Sequence, residues 1–341
     1  MRLWTFLIGQ RTGEETGFDE IYHNLLEDAQ LAERLGFHGV LLAEHHFTNY
    51  CAIPNPLMLA AAVGQRTSRI RIGTAVIVLP LHNPVLVAED IAQADHLTGG
   101  RLEVGFGRGY ASYEFSPLGV DLADSHGAMA DALDTLEKLW NGADVANDGG
   151  RWPFPPITIT PAPVQRPHPP AWFACGSPRS IATALDRGLF PFISVGVRGR
   201  ALIEESVGMF DDECARRGRD PRSLRFGAQV LGFHGEDREE VERAARCGRT
   251  MYRMTARLMA GTQRVRAGMA DMSGTEPAAD VPTEQIMSGS LMGGDDHIRS
   301  QLAWLESIGV TDLSVNFRYG GIDTPSVHRS MERVAALAEL A

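Results

Sequence analysis

The chain is short of the features that mark several large protein classes. Only four cysteines occur in 341 residues (Cys51, Cys175, Cys214 and Cys247), and none stands in C-x-x-C spacing. Neither a zinc knuckle nor a disulfide framework is indicated, and reduced thiols in the cytosol are the simplest reading. No apolar run approaches the roughly 20 residues needed to span a bilayer. The apolar stretch at residues 1–8 is too short for a signal peptide, and no small-residue cleavage site follows it. Positive charge is also scarce: 32 Lys and Arg against 43 Asp and Glu give a formal net charge of −11. That balance argues against nucleic acid or an anionic membrane as the main partner, so any phosphate site must be local. A soluble, cytoplasmic protein is expected. No linker-like stretch divides the chain, and a single domain over residues 1–341 is the expectation.

What is present is an ordinary globular composition, 44% hydrophobic and 22% charged, laid out in a repeating rhythm. Apolar strand-like runs at 3–8, 40–43, 70–79, 101–106, 171–174, 190–195, 224–231 and 312–317 alternate with segments of helical spacing. In the first of these segments Ile21, Leu25, Leu26, Ala29, Ala32 and Leu35 fall on one face, and Gly36 follows where a C-cap glycine belongs. Eight strand-helix units predict an α/β fold, a (β/α)₈ barrel with insertions. Two stretches depart from the rhythm. Residues 149–170 are Pro-rich, with a strand-like segment at 157–160, and read as an excursion outside the repeat. Residues 260–290 are rich in Gly, Met, Ala and Asp with no settled period, and read as a mobile lid.

The second strand carries the strongest local signal. Val40, Leu41, Leu42 and Ala43 form a continuous apolar run, and Glu44, His45 and His46 follow it directly. A carboxylate and two imidazoles at the end of a buried strand are costly without partners. That end of a barrel strand is also where active sites lie. After the fourth strand, Gly105-Phe106-Gly107-Arg108-Gly109-Tyr110 has G-x-G-x-G spacing, which is not the dinucleotide fingerprint. It offers bare backbone on either side of one arginine, whose planar fork suits phosphate. After the fifth strand, Ser177 is placed as an N-cap with Pro178 at the first helical position, and free N–H groups there would suit an anion. Cys175 reads as a small packing residue rather than a nucleophile.

E-H-H-F-T after strand two, G-T-A-V-I-V-L-P along strand three and G-x-G-R-G-Y after strand four resemble the bacterial luciferase-like flavin monooxygenases, most closely the luciferase α subunit. The resemblance runs along nearly the whole chain. It implies a TIM barrel that binds reduced FMN at the C-terminal ends of its strands. Oxygen adds to the flavin at C4a, and the resulting (hydro)peroxide oxygenates an organic substrate. By position, His45 matches the family's catalytic histidine, and Ala75-Val76 matches a non-proline cis peptide beneath the isoalloxazine. Arg108 matches the phosphate-binding arginine, and Tyr110 flanks the flavin. Cys175, Gly176 and Ser177 match a second phosphate-contacting turn, while Ser194 lies near the ring edge. The resemblance also implies a separate flavin reductase as partner, and a homodimer paired through the second and third helices, where Ala60, Ala61, Ala62 and Gly64 are small.

This sequence departs from luciferase at four places. Gly107 stands for a reactive cysteine, His126 for a second phosphate-site arginine, Cys175 for a glutamate and Asn83 for a pocket histidine. A less cationic clamp and an altered pocket point away from light emission, towards hydroxylation or Baeyer–Villiger insertion on a small non-luminescent substrate. Rival readings are an F420-dependent oxidoreductase on the same barrel and a non-catalytic flavin-binding protein. A metal-dependent hydrolase is disfavoured and no metal is expected, because neighbouring histidines on a strand project to opposite faces.

Overall fold

Strands that are apolar on both faces need cover on both sides, and a parallel sheet wrapped in helices supplies it. The computed structural model of the chain describes residues 1–271 and 281–340. Among these, eight parallel strands close into a barrel: β1 (Arg2–Leu7), β2 (Gly39–Leu42), β3 (Arg71–Thr74), β4 (Leu102–Gly107), β5 (Ala171–Ala174), β6 (Phe190–Ser194), β7 (Gly227–His234) and β8 (Asp312–Asn316). Neighbours pair in chain order. The ring closes where β8 pairs β1 from Arg2↔Asp312 to Thr5↔Val315. Around it lie α1 (Phe18–Arg34), α2 (Pro56–Arg66), α3 (Pro84–Leu97), α4 (Ser125–Asn141), α5 (Pro178–Asp186), α6 (Arg200–Arg216), α7 (Arg238–Ala260), α8 (Asp295–Ser307) and α9 (Thr324–Leu337). No described helix is long and apolar enough to cross a membrane.

The N-terminal end of the barrel is plugged by charge. Asp312, buried at the start of β8, accepts from Trp4 Nε1 at 3.1 Å, Arg2 Nη2 at 2.9 Å and Arg225 Nη2 at 2.7 Å. Arg225 also reaches Glu103 at 3.1 Å, and Glu103 takes Arg71 Nε at 2.8 Å. Burial alone would raise the Asp312 carboxyl, but its bond with Arg225 and the charges of Arg225 and Arg2 outweigh it and hold the group below its ordinary value.

Four local expectations need correction. The third strand is not continuous over 70–79: it breaks at the cis peptide Ala75–Val76 and resumes as Ile77–Val78 beside β4. The seventh begins at Gly227 rather than 224, because Phe226 N–H is already committed to Thr311 Oγ1, and it runs on to His234 by pairing with Leu291–Gly293. In the Pro-rich excursion the strand is Phe154–Ile157, antiparallel to Val145–Asn147, and it stops there as Thr158 Oγ1 accepts from Asp144 N–H. The described parts of 260–290 have structure: Val265–Arg266 pairs with Met269–Ala270 as a hairpin, and Thr283–Ser288 is helical. Ala270 N–H donates to Asn49 Oδ1 at 2.8 Å, which docks that hairpin on the loop following the two histidines. The remainder of the expected lid, including Met272, Gly274 and Pro277, lies outside the described residues.

Candidate active site

β2 delivers Glu44 to the C-terminal mouth of the barrel, where its carboxylate is buried at 2% exposure. Its Oε1 accepts from His46 Nε2 at 3.0 Å and from His82 Nε2 at 2.8 Å, and its Oε2 accepts Val78 N–H at 3.0 Å. Burial pushes the carboxyl up, but the hydrogen bonds and charges of the two imidazoles outweigh it, so Glu44 sits below its ordinary value. Burial would likewise lower His82, but Glu44 outweighs it and raises the imidazole. Ligand atoms of Glu44, His46 and His82 lie within 4.8 Å of one another, a set whose chemistry also suits a divalent metal.

His45 turns the other way. Its Nδ1 is 2.7 Å from Glu114 Oε1 and its Nε2 is 3.2 Å from the Tyr110 hydroxyl. Glu114 Oε1 also accepts His46 N–H at 3.1 Å. The Tyr50 ring stands edge-on to the imidazole, with centroids 4.8 Å apart. Burial, before any neighbouring charge, holds the phenols of Tyr50 and Tyr110 above their ordinary value.

The glycine turn wraps against the cis turn. A Cβ on Gly107 would lie 2.4 Å from Val76 Cγ2, so the position that carries a reactive cysteine in luciferase has no room for a side chain here. Gly109 has φ +77° and packs against Phe115 and Val78. Between them Arg108 donates to Ser125 Oγ at 2.9 Å, at the start of α4. His126 follows, and its imidazole is lowered by burial and by the charges of Arg108 and Arg179. Arg108 and Arg179 thus act on His126 from two other segments, and among the described residues neither arginine has a carboxylate partner.

The second turn is more self-contained than expected. Ser177 caps α5, but Ser180 Oγ already accepts from Gly176 N–H and Ser177 N–H, each at 3.1 Å. These two N–H groups are therefore engaged within the turn, and an anion on them would have to displace the Ser180 hydroxyl. Cys175 is pushed up to about 12 by burial, and its thiol donates to Phe173 O at 3.3 Å, as suits a packing residue. Ser194, exposed at the end of β6, donates to Gln229 Oε1 at 2.7 Å.

The family model described as luciferase-like monooxygenase matches residues 1–312. The chain belongs to the luciferase-like monooxygenase family. A flavin-dependent trigonelline monooxygenase, oxygenase component, from Acinetobacter baylyi is 26% identical, over 92% of this chain and 88% of that protein. Among solved structures, a monooxygenase from Streptomyces bottropensis superposes with a TM-score of 0.81 at 23% identity, covering 100% of both chains. The oxygenating constituent of 3,6-diketocamphane monooxygenase from Pseudomonas putida, in complex with FMN, gives 0.76 at 18% identity, over 98% of this chain and 97% of that one.

In this luciferase-like monooxygenase the sequence left Glu114, Tyr50, His82 and Arg179 unnoticed as site residues. Glu114 and Tyr50 sit in no glycine turn and end no apolar run, and only the closed barrel brings all four to His45, Glu44 and Arg108. Asn83, in place of a pocket histidine, caps α3 by accepting Val85 N–H at 2.9 Å. A separate cleft of about 630 Å³ lined by His234, Glu236, Asp295, Arg329 and Arg333 shares no residue with this site.

The raised His82 value has a measurable consequence. A folded state that holds a proton more tightly than the unfolded chain is stabilised fully below the ordinary imidazole value of about 6.5, and loses that stabilisation as pH rises through the folded-state value. The wild type is expected to lose thermal stability from pH 6 upward relative to His82→Asn, whose melting curve lacks this component. Parallel Tm-versus-pH profiles for the two proteins would show that Glu44 does not hold a proton on His82.

Proposed function

We propose that this luciferase-like monooxygenase is the oxygenase component of a two-component system. It takes reduced FMN from a separate flavin reductase and inserts one oxygen atom of O₂ into a small organic substrate, by hydroxylation or Baeyer–Villiger insertion. The observation that carries the reading is the convergence of three features at one end of the barrel: His45, the cis turn packed on Gly107, and two arginines around His126 that have no carboxylate partner among the described residues. The relative named an oxygenase component and the FMN-bound structure of the same fold support it. A cytoplasmic location belongs to the same reading and is supported by four free thiols.

The residues present fit the cofactor. Arg108, His126 and Arg179 would take the phosphate, with Ser177 beside them, and the backbone of Ala75–Val76 would support the ring system, flanked by Tyr110. Reduced FMN, when bound, supplies the electrons that activate O₂. The protein's part is to bind and orient, to exclude water, and to move a proton at His45, whose imidazole suits proton transfer near neutral pH. His45→Ala is expected to bind FMN normally yet lose about 10²-fold or more of substrate oxygenation in a reductase-coupled assay. A variant with unchanged kcat removes His45 from the chemistry. The absorbance of the cofactor bound after anaerobic loading discriminates FMN from F420.

The proposed phosphate site is testable in both directions. Charge-assisted contacts contribute about 1.5–3 kcal/mol, so Arg108→Ala should weaken FMN binding by roughly one to two orders of magnitude. His126→Arg, which restores a permanent cation, should tighten it at pH 8. Anaerobic titration reads both, and unchanged dissociation constants would place the phosphate elsewhere.

A homodimer is the second part of the reading. Ala60 and Gly64 face inward, and the absent Gly64 Cβ would lie 3.1 Å from Thr98 Cα, so these two small residues serve packing within the chain. The outward row is instead Met58, 72% exposed on α2, and Leu86, 58% exposed on α3, with Ala62 exposed beside Met58. Met58→Asp is expected to shift a sedimenting dimer to monomer at micromolar concentration. A wild type that already sediments as a monomer contradicts the assembly.

A further inference from the structure

We propose that Glu114 is the positioning residue of this site: it holds the His45 imidazole with its proton on Nδ1, so that Nε2, the nitrogen facing Tyr110, is the basic atom. The assignment extends the reading of His45 as the acid/base group. Glu114 lies on the one-turn helix Ser112–Phe115 and is 1% exposed. Its Oε1 receives the backbone N–H of His46 at 3.1 Å. A backbone N–H can only donate, so this oxygen acts as an acceptor, and an imidazole nitrogen 2.7 Å from the same atom has to present N–H to it. The opposite tautomer would set a bare Nδ1 lone pair against carboxylate lone pairs at that distance. A neutral imidazole carries one ring proton, and Nε2 is left free to accept.

The other side of the ring agrees. Nε2 is 3.2 Å from the Tyr110 hydroxyl. Burial, and then the charges of Tyr50 and Glu114, keep that phenol protonated. The two bonds then share one polarity: Tyr110 O–H donates to His45 Nε2, and His45 Nδ1–H donates to Glu114. When Nε2 takes up a proton, the imidazolium lies between the Glu114 carboxylate and the Tyr110 oxygen, and both stabilise it. The edge-on Tyr50 ring, 4.8 Å from the imidazole, opposes a flip that would exchange the two nitrogens. Glu114 acts through His45 and does not itself reach the reacting atoms.

The test is long-range ¹H–¹⁵N correlation on histidine-labelled, FMN-free protein, with the His45 signals assigned from His45→Ala. The wild type should show His45 as the Nδ1–H tautomer. Glu114→Gln keeps an acceptor oxygen and should preserve that tautomer, whereas Glu114→Met should convert His45 mainly to Nε2–H. In turnover, Glu114→Met should lose about 10²-fold in kcat and Glu114→Gln less than about tenfold, while FMN dissociation constants stay within about threefold. An Nε2–H wild type, or an unchanged tautomer in Glu114→Met, overturns the assignment. If the tautomer switches as expected while His45→Ala turns over normally, the positioning role of Glu114 stands and the catalytic reading of His45 is what fails.

Discussion

The carboxylate of Glu44 is the constraint on which the catalytic end of the barrel depends. A charge buried at the end of β2 has to be met by donors, and three segments supply them: His46 from its own strand end, Val78 N–H from the turn after β3, and His82 from the stretch leading into α3. Meeting that requirement pins the turn containing Ala75–Val76 against β2. It also turns His46 inward, and alternation along the extended chain then sends His45 to the opposite side, towards Glu114 and Tyr110. The placement of the cis turn and of the candidate acid/base group therefore follows from satisfying one anion.

The two ends of the barrel use charge differently. At the N-terminal end Asp312, Arg225, Glu103, Arg71 and Arg2 are paired with one another, and the cluster ties β8 to β1, β3 and β4. At the C-terminal end Arg108 rests on a serine hydroxyl and shares its surroundings with His126 and Arg179, and among the described residues neither arginine has a carboxylate partner. Paired charge gives rigidity at one end, and the other end is where the phosphate site is proposed.

The departures from luciferase have physical reasons in the surrounding structure. Gly107 is a glycine because Val76 fills the space a side chain would take. Asn83 serves as a helix cap, and His82 beside it supplies the imidazole that Glu44 uses. His126 is lowered by burial and by the two arginines around it.

The sequence by itself determined the architecture and pointed to the candidate residues. Eight apolar runs alternating with helical spacing specify a parallel barrel, because both faces of each strand must be covered. Glu44, His45, His46 and Arg108 were legible because each stands directly after a buried strand, at the end where barrels carry their chemistry. Local pattern could not show the break at Ala75–Val76 inside an otherwise continuous apolar run, nor that Ser180 occupies the N–H groups of the α5 cap. It could not show that Glu114, in a short polar segment 69 positions from His45, supplies the partner for Nδ1. Such partners come from separate strand ends, and only closure of the ring brings those ends within hydrogen-bonding distance. The tertiary structure therefore decided which nitrogen of which histidine faces the site.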